Sequence, residues 1–314
     1  MPQLIRAFFR LIRWPNLVFI FLTQLLFYYY ILLPCYGQVV GGYPLSPQPK
    51  LAPLLFFLLA GSSILIAAAG YAINDYFDLN IDRVNKPKRM VVEKVIKRRW
   101  TILWHWLLSG IGMVLSLYVS WRIRNPIIAA ANLGCVVLLY FYSTTFKRKL
   151  LIGNIIISLL TAWVTLVLFV CEARITTDPA AREISSRIFK FAIVYGSFAF
   201  IISLVREVVK DIEDRDGDEK YGCRTMPIVW GVNVAKVFAG TWLVVLIGAL
   251  VIFQFYVLQK AWWQLILYSV VMIDLPCVWL LRKLYTAQTK EQYHTLSNVI
   301  KGVMLTGILS MILI

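Results

Sequence analysis

The sequence predicts an all-α integral membrane protein with about nine transmembrane helices. Of its 314 residues, 60% are hydrophobic, and the mean hydropathy is +0.73, which a soluble domain of this size does not tolerate. Apolar stretches of about 18 residues or more recur along the whole chain, which is the length that a helix needs to cross a bilayer. These stretches do not alternate polar and apolar residues, so a membrane β-barrel is excluded.

The predicted elements begin with a basic, amphipathic segment over residues 1–14. It lacks a small-residue cleavage site, so we expect it to lie in the membrane interface and to stay on the protein. Nine predicted spans follow, and the last is the weakest because Lys301 interrupts it. We expect residues 1–314 to form a single membrane domain. The spans cover residues 15–36, 52–80, 101–121, 126–145, 150–172, 188–212, 233–257, 262–281 and 294–314.

Lysine and arginine concentrate on one predicted side of the membrane. With the N-terminus inside, 24 of the 32 basic residues fall in inner segments and 8 in outer loops. The positive-inside rule makes the inner side cytoplasmic, and the predicted location is a bacterial inner (plasma) membrane. These loops also account for the net charge of +16, so we expect the lipid bilayer, and no nucleic acid, as a partner. The 5 cysteines lack a C-x-x-C pair and predict no disulfide framework or zinc site.

Two acidic segments with the same spacing end the second and sixth predicted spans. Their positions i, i+3 and i+7 share one face of a helix. Four helices separate the two copies, so we predict a parallel internal repeat with both copies on the cytoplasmic side. The copies lie 136 residues apart and consist of Asp75, Asp78 and Asp82, and of Asp211, Asp214 and Asp218.

The residue types in these segments suit a hard divalent cation. Asn74, Asp78 and Asp82 follow an i, i+4, i+8 spacing, so Asn74 adds a neutral carbonyl oxygen to the first stripe. All candidate ligands are oxygens, which favours Mg²⁺, Mn²⁺ or Ca²⁺ over zinc or copper. The alternative is a charged loop that merely terminates a membrane helix. The matched second copy argues against it, because ionisable groups at membrane depth are costly unless functional.

Basic residues flank both acidic segments. Six carboxylates alone would repel a diphosphate, but metal ions with nearby lysine and arginine reverse the local charge. For any single lysine, an anchoring role at the cytoplasmic face is the more common explanation. The basic residues are Arg83, Lys86, Lys88 and Arg89 after the first segment, Lys147, Arg148 and Lys149 after span 4, and Lys220 and Arg224 after the second segment.

These motifs resemble the UbiA superfamily of intramembrane prenyltransferases. The stretch from Asn74 to Asp82 is similar to the superfamily's first motif, and the stretch from Asp211 to Asp218 to its second. The stretch from Tyr142 to Arg148 is similar to its Tyr-to-Lys segment after the fourth helix. The resemblance covers nearly the whole chain, because the nine-span layout also agrees.

Within the superfamily, two segments look most like the digeranylgeranylglyceryl phosphate synthase branch, whose members alkylate the free hydroxyl of a prenylated glycerol phosphate. These segments run from Arg206 to Asp214 and from Tyr221 to Ile228. The chain departs from many relatives between Lys86 and Glu93, where they have Arg-Pro followed by a small Ser-Gly turn.

The resemblance implies nine helices around a central cavity and Mg²⁺-dependent transfer of a polyprenyl group, with geranylgeranyl favoured, from its diphosphate to a lipophilic acceptor. It implies that two Mg²⁺ ions are held by Asn74, Asp78 and Asp82, and by Asp211, Asp214 and Asp218. The implied diphosphate contacts are Asn74, Arg83, Tyr142, Lys147, Lys220 and Arg224. The implied catalytic residues are Asp75, Asp78, Asp82, Asp214 and Asp218, with Asp75 expected either to assist or to orient a neighbouring base.

Three functions remain open at this point. The favoured one is prenyl transfer to geranylgeranylglyceryl phosphate, and the second is prenyl transfer to an aromatic acceptor such as a quinone precursor or haem. The third is divalent-cation transport along the acidic stripes. A transporter would place its carboxylates near mid-membrane on broken helices, whereas here they cluster at one face beside lysine and arginine.

Overall fold

The computed structural model describes residues 2–37, 39–40, 43–44, 48–85, 87, 90–174 and 177–314. Within these residues, nine helices are long and apolar enough to cross a membrane, which confirms the predicted fold class. We number them as spans 1 to 9 in chain order: Trp14–Tyr36, Pro53–Phe77, Arg98–Ile123, Pro126–Thr144, Ile152–Glu172, Pro179–Glu213, Val232–Leu258, Trp263–Thr286 and Lys290–Leu313.

The remaining elements are short. A helix precedes span 1, and two strands of two residues each pair antiparallel between spans 1 and 2. Spans 1 and 8 each contain a π-helical stretch, at Phe27–Leu32 and Val270–Asp274. The short elements are the helices Pro2–Leu11, Leu79–Asn85, Arg215–Lys220 and Met226–Val229, the 3-10 turns Phe146–Arg148 and Ser310–Leu313, and the strands Val39–Val40 and Tyr43–Pro44.

Span 6 differs most from its predicted bounds, because it begins at Pro179 and not at residue 188. A proline suits the first turn of a helix, and the Asp178 side chain accepts a hydrogen bond from the backbone N–H of Ala180 at 3.1 Å. The helix has 35 residues, so it is roughly 50 Å long and exceeds the apolar core of a bilayer. Hydropathy alone misses its polar first turns.

Span 9, the weakest prediction, starts with a well-formed N-terminus. The Thr289 side chain accepts from the backbone N–H of Gln292, and the Gln292 side chain accepts from the backbone N–H of Thr289, which is a capping box. This cap starts the helix at Lys290, four residues before the predicted start. Lys301 lies within the span and is half-buried.

The chain forms two compact units, and the boundary between them falls within spans 5 and 6. Unit 1 comprises Met1–Lys147 and Trp163–Ala192, and unit 2 comprises Arg148–Ala162 and Ile193–Ile314. The first acidic segment belongs to unit 1 and the second to unit 2. The single domain over residues 1–314 stays a prediction.

In unit 1, small residues bring spans 2 and 3 close together. A Cβ on Gly112 would come within 3.0 Å of the Ile66 side chain, and the Ser62 hydroxyl donates to the Gly112 carbonyl at 2.8 Å. Nearer the end of span 2 that leads into the first acidic segment, the His105 ring bonds the Ala69 carbonyl at 3.0 Å. Close backbone approach and polar cross-links are the usual means of holding membrane helices together.

A buried carboxylate fixes the opposite end of unit 1. Glu172, at the end of span 5, is 0% exposed. It accepts hydrogen bonds from the Tyr36 hydroxyl at 2.6 Å and from the backbone N–H groups of Lys50 and Leu51 at 3.1 and 2.7 Å. One side chain therefore ties together the ends of spans 1 and 5 and the start of span 2. Burial of this carboxylate is tolerated because its oxygens are hydrogen-bonded.

Unit 2 packs around an apolar core contributed by spans 6, 7, 8 and 9, with fully buried residues such as Ile202, Ala239 and Cys277. In span 9, Gly307 meets Phe198 of span 6 so closely that a Cβ would lie 2.3 Å from the ring. One turn towards the membrane surface, the hydroxyls of Tyr195 and Ser310 lie 2.9 Å apart. This packing holds the helix that carries the second acidic segment.

Candidate functional site

The first acidic segment lies where the helix of span 2 is interrupted. The α-helix ends at Phe77, Asp78 follows with φ −86° and ψ −1°, and a short helix continues from Leu79. The backbone N–H of Asp78 bonds the Asn74 carbonyl at 2.9 Å, and that of Asp82 bonds the Asp78 carbonyl at 2.8 Å. Helical hydrogen bonding therefore continues across the interruption, and Asn74, Asp78 and Asp82 keep their helical spacing.

The second acidic segment has the same local structure. Span 6 ends at Glu213, Asp214 follows with φ −93° and ψ 3°, and a short helix begins at Arg215. The backbone N–H of Asp214 bonds the Lys210 carbonyl at 2.8 Å, and that of Asp218 bonds the Asp214 carbonyl at 3.2 Å. Both copies thus change helix at the middle aspartate. The two copies therefore share backbone angles at the middle aspartate as well as their sequence spacing, and the parallel internal repeat stays a prediction.

Asp78 lies between a neutral and a charged donor. The Asn74 side-chain N–H donates to one carboxylate oxygen at 2.7 Å, and the Lys147 ammonium forms a short ion pair with the other. The Lys147 and Asp78 side chains are only 10% and 16% exposed, so water screens the pair weakly. The structure thereby brings together three of the predicted site residues.

The other side-chain atom of Asn74 is the most direct indication of a cation site. Its carbonyl oxygen Oδ1 is buried and has no hydrogen-bond partner. A buried acceptor left unpaired is costly and calls for an explanation, such as an ion that the acceptor binds. An amide oxygen beside a carboxylate is a suitable ligand pair for a hard divalent cation.

Asp75 takes a different partner, although it shares the nominal stripe with Asp78. The Arg13 guanidinium donates to the Asp75 carboxylate at 2.6 Å and stacks over the Tyr71 ring at 5.1 Å from its centroid. Desolvation is the largest influence and disfavours the charged guanidinium. The charge and hydrogen bond of Asp75, together with Tyr71 and Asp82, outweigh it and raise the pKa of Arg13 above its ordinary range. The contact holds the Asp75 carboxylate beside Arg13, and both roles considered for Asp75 stay predictions.

Arg83 and the loop after it form a separate ion pair. The Arg83 guanidinium donates to Glu93 at 2.7 Å, and both side chains are more than a third exposed. Glu93 has φ 66°, a left-handed conformation that costs energy for a residue other than glycine. The neighbouring Arg98 lies over the Tyr76 ring at 4.5 Å from its centroid. Three further predicted basic residues, Lys86, Lys88 and Arg89, lie outside the described residues.

Tyr142, a predicted diphosphate contact, is half-buried in the last turns of span 4. The same helix ends at Thr144, and the 3-10 turn Phe146–Arg148 then carries Lys147 to Asp78. Tyr142 and Lys147 therefore come from one continuous piece of chain, as the sequence predicts.

The second segment is anchored by an asparagine that sequence reasoning missed. The Asn154 side-chain N–H donates to the Asp211 carboxylate at 2.8 Å, and Asn154 is only 8% exposed. The only signal for it is a lone amide in the apolar run of span 5. His294 of span 9 lies 2.9 Å from the Glu213 carboxylate through Nδ1. Neither residue could be linked to the segment from spacing.

The predicted basic residues after the second segment lie in a loop that folds back on it. Lys220 and Arg224 are exposed. Gly222 has φ 71°, which allows the turn, and the backbone N–H of Cys223 then bonds the Asp218 carbonyl at 2.9 Å. The loop is thus held beside Asp218, with both cationic side chains accessible.

The carboxylates of each segment do not gather into a preformed metal cluster. Among the described residues, which include all six motif aspartates, no three acidic, histidine or cysteine side chains come together in a way that could hold a metal ion. A cation here would bind one or two carboxylates, the free oxygen of Asn74, and oxygens from water or substrate. That is the usual ligand set of Mg²⁺ with phosphorylated substrates.

Comparison with known proteins identifies the family. The model of the UbiA prenyltransferase family matches residues 31–300. Digeranylgeranylglyceryl phosphate synthase of Methanosphaera stadtmanae is 26% identical over 273 residues, which cover 87% of this chain and 90% of that protein. The synthase of Natronomonas pharaonis is 34% identical over 209 residues, which cover 67% of each chain.

Solved structures agree in fold. A digeranylgeranylglyceryl phosphate synthase superposes with a TM-score of 0.60 at 23% identity and covers 99% of both chains. A UbiA homologue from Aeropyrum pernix K1 gives a TM-score of 0.60 at 16% identity over 97% of both chains. A UbiA homologue from Archaeoglobus fulgidus, bound to GPP and Mg²⁺, gives 0.56 at 15% identity over 97% of this chain and 99% of that chain.

Proposed function

Because the chain belongs to the UbiA prenyltransferase family, we propose that this multi-pass membrane enzyme transfers a geranylgeranyl group from its diphosphate to geranylgeranylglyceryl phosphate. The acceptor follows from relatives named digeranylgeranylglyceryl phosphate synthase that span most of the chain. The single observation on the site that supports a diphosphate substrate is the cluster of Asn74, Asp78 and Lys147, with its unpaired amide oxygen.

Mg²⁺ is the proposed cofactor, with two ions per molecule. Asn74, Asp78 and Asp82 would hold one ion, and Asp211, Asp214 and Asp218 the other. When bound, Mg²⁺ would neutralise the charge that develops on the departing diphosphate. The fit rests on oxygen-only side chains and on the buried, unpaired Oδ1 of Asn74.

In this proposal Lys147 has two partners at different stages. Before substrate binds, it neutralises Asp78 and keeps that weakly exposed carboxylate from being an isolated charge. When the substrate arrives with its cations, Lys147 would release Asp78 and contact diphosphate oxygens. Further hydrogen-bond donors to the diphosphate would come from Arg83, Tyr142, Lys220 and Arg224. Arg83 would first have to break its ion pair with Glu93.

The reaction breaks the allylic carbon–oxygen bond of the donor, and the electron pair leaves with the diphosphate. The acceptor hydroxyl oxygen then forms the new bond to the allylic carbon, and its proton passes to a carboxylate of the first acidic segment, which would act as the base. Water would react with the allylic cation and end the transfer. The apolar environment of the spans would protect the cation by excluding water. We propose that Asp75, which is held by Arg13 and lies three residues before Asp78, orients the carboxylate that accepts this proton.

The location of the motifs in the cell is also a proposal. We propose that both acidic segments face the cytoplasm, with the segment over residues 1–14 in the interface of the same leaflet. The support is the excess of lysine and arginine in the inner segments, 24 of 32. The bacterial inner (plasma) membrane stays a prediction from the sequence.

The test is product analysis with purified protein in lipid nanodiscs. Geranylgeranyl diphosphate, Mg²⁺ and a panel of acceptors would be supplied, with geranylgeranylglyceryl phosphate alongside aromatic quinone precursors and haem. We expect the doubly prenylated glycerol phosphate by mass spectrometry and its loss with a metal chelator. Turnover with an aromatic acceptor and none with the glycerol phosphate would contradict the proposed acceptor.

The site assignment has a matched control in the second segment. Asp214→Ala should abolish turnover while the protein still inserts and purifies. Asp216→Ala, which removes an exposed carboxylate two residues away that lies outside the motif spacing, should retain it. Near-normal turnover in the Asp214 variant would refute its role.

A further inference from the structure

The two acidic segments differ in the helical turns that precede them. With the offset of 136 residues that aligns the aspartates, Arg206 and Lys210 stand where the first copy has Gly70 and Asn74. Asn74 offers a neutral oxygen to a cation, whereas lysine has only donors and cannot be a metal ligand. The second copy has therefore exchanged a possible metal ligand for positive charge.

Arg206 and Lys210 lie on one face of span 6, a single turn apart, and both contact Glu207. Arg206 Nη1 donates to a Glu207 carboxylate oxygen at 2.9 Å, and Lys210 Nζ lies 3.3 Å from the other oxygen. Their side chains are 16% and 26% exposed, and that of Glu207 is 10% exposed. Two cations thus contact one carboxylate within the last turns of span 6.

The Arg206 guanidinium also has unused hydrogen-bonding capacity. Its Nε atom is buried and has no hydrogen-bond partner. Arginine presents its N–H groups in a fixed planar fork that matches carboxylate or phosphate oxygens. One N–H of that fork is unpaired at Arg206, and a buried donor without a partner suits an oxygen of an anion that would reach it.

The depth of Arg206 makes a purely structural role costly. It lies seven residues before the end of span 6 at Glu213, which is roughly 10 Å along the helix. Charged residues inside a span are expensive and usually mark a substrate path or a binding site.

We propose that Arg206, assisted by Lys210, binds the phosphate monoester of the prenyl acceptor. This inference rests on the proposed function and names the residues that select its acceptor. Lys210 precedes Asp214 by one helical turn on the same face. A phosphate held there would lie close to a residue proposed to handle the donor diphosphate, as the short glycerol backbone between phosphate and attacking hydroxyl requires.

The test compares Arg206→Gln with the wild type on two acceptors, geranylgeranylglyceryl phosphate and the same lipid without its phosphate. We expect KM for the phosphorylated acceptor to rise roughly ten- to hundredfold, the usual effect of losing a hydrogen bond to a charged group. KM for geranylgeranyl diphosphate should not change, nor should turnover of the phosphate-free acceptor. Arg206→Lys should be intermediate, because it restores the charge but not the fork.

Arg187→Gln is the matched control, since it removes an exposed arginine of the same helix that pairs with Glu183 at i, i+4. We expect it to leave all these constants unchanged. If Arg206→Gln fails to fold, Glu207→Gln provides an independent test. Removing the competing carboxylate should lower KM for the phosphorylated acceptor, and an increase would contradict the proposal.

Two outcomes separate this inference from the proposed function. Equal losses on both acceptors, or a higher KM for the donor diphosphate, would overturn the role of Arg206 and leave the enzyme's function intact. A wild-type enzyme that prenylates only phosphate-free acceptors would overturn both.

Discussion

Lys147 and Asp78, 69 residues apart in the chain, form a short ion pair beneath the end of span 2. The carboxylate that is proposed to bind a metal ion is thus already neutralised by a protein cation. Since isolated buried charges are strongly unfavourable, this pair stabilises the enzyme in the absence of substrate. It also means that metal and lysine compete for the same oxygens.

Replacing Lys147 by Met should therefore have opposite effects on metal binding and on turnover. Asp78 becomes more available, so a lower Mg²⁺ concentration should half-saturate the enzyme. Turnover should fall about ten- to hundredfold, because the diphosphate loses a charged donor. Mg²⁺ titrations of the rate would measure both effects. Lys149→Met, an exposed neighbour, is the control, and weaker Mg²⁺ binding in the Lys147 variant would contradict the competition.

Replacing Asn74 by Leu should weaken metal binding without removing a charge. The buried Oδ1 is lost, and we expect the Mg²⁺ concentration for half-maximal rate to rise roughly tenfold or more, which is the scale of changes around metal sites. Asn80→Leu, at an exposed position of the following helix, should leave the titration unchanged. An Asn74 variant with an unaltered Mg²⁺ dependence would exclude the amide as a ligand.

The pair of Arg13 and Asp75 should contribute to stability as well as to the site. Arg13 is 37% exposed, so solvent screening reduces the cost of losing it, and we expect Arg13→Gln to lower the free energy of unfolding by only about 1 kcal/mol. Thermal unfolding in detergent would show it. A double-mutant cycle with Asp75→Asn should reveal coupling between the two residues, and strict additivity would indicate that they act independently.

Span 9 offers a packing test with an internal control. Gly307→Ala would place a Cβ 2.3 Å from the Phe198 ring, so we expect a loss of stability of about 1–3 kcal/mol. Gly302→Ala meets nothing within 4 Å and should be neutral or stabilising by up to about 1 kcal/mol, because alanine is the better helix former. Equal melting temperatures for both variants would show that the contact with Phe198 is readily relieved.

The sequence was sufficient to predict the nine spans found among the described residues, because hydropathy is a local property of the chain. It was not sufficient to predict the change of helix shared by the two acidic segments, because backbone angles are not read from spacing. Spacing also predicts that the side chains of Asn74 and Asp78 are neighbours, since residues four apart lie on the same face of a helix. It could not show that Asp75 turns to Arg13, because that partner lies 62 residues away and belongs to another helix. The sequence did not predict the contact between Asn154 and Asp211 for the same reason, because the two residues lie on different helices.

The departures in span bounds have a different origin. Hydropathy detects the part of a helix that lies in lipid, so it placed the start of span 6 at residue 188 and missed the turns from Pro179. It likewise ran span 2 past Phe77, since the aspartates follow directly on an apolar run. Span 6 begins at a proline, and span 2 ends before an aspartate. Hydrophobicity marks neither position.

The near-identical backbone angles at Asp78 and Asp214 have a consequence for tolerance to substitution. The turns before the two aspartates differ, with Gly70 and Asn74 in one and Arg206 and Lys210 in the other. Because the angles are nearly the same in spite of this, the change of helix does not depend on those upstream side chains. Substitutions at these positions can therefore alter what each segment binds without altering the backbone that presents its aspartate.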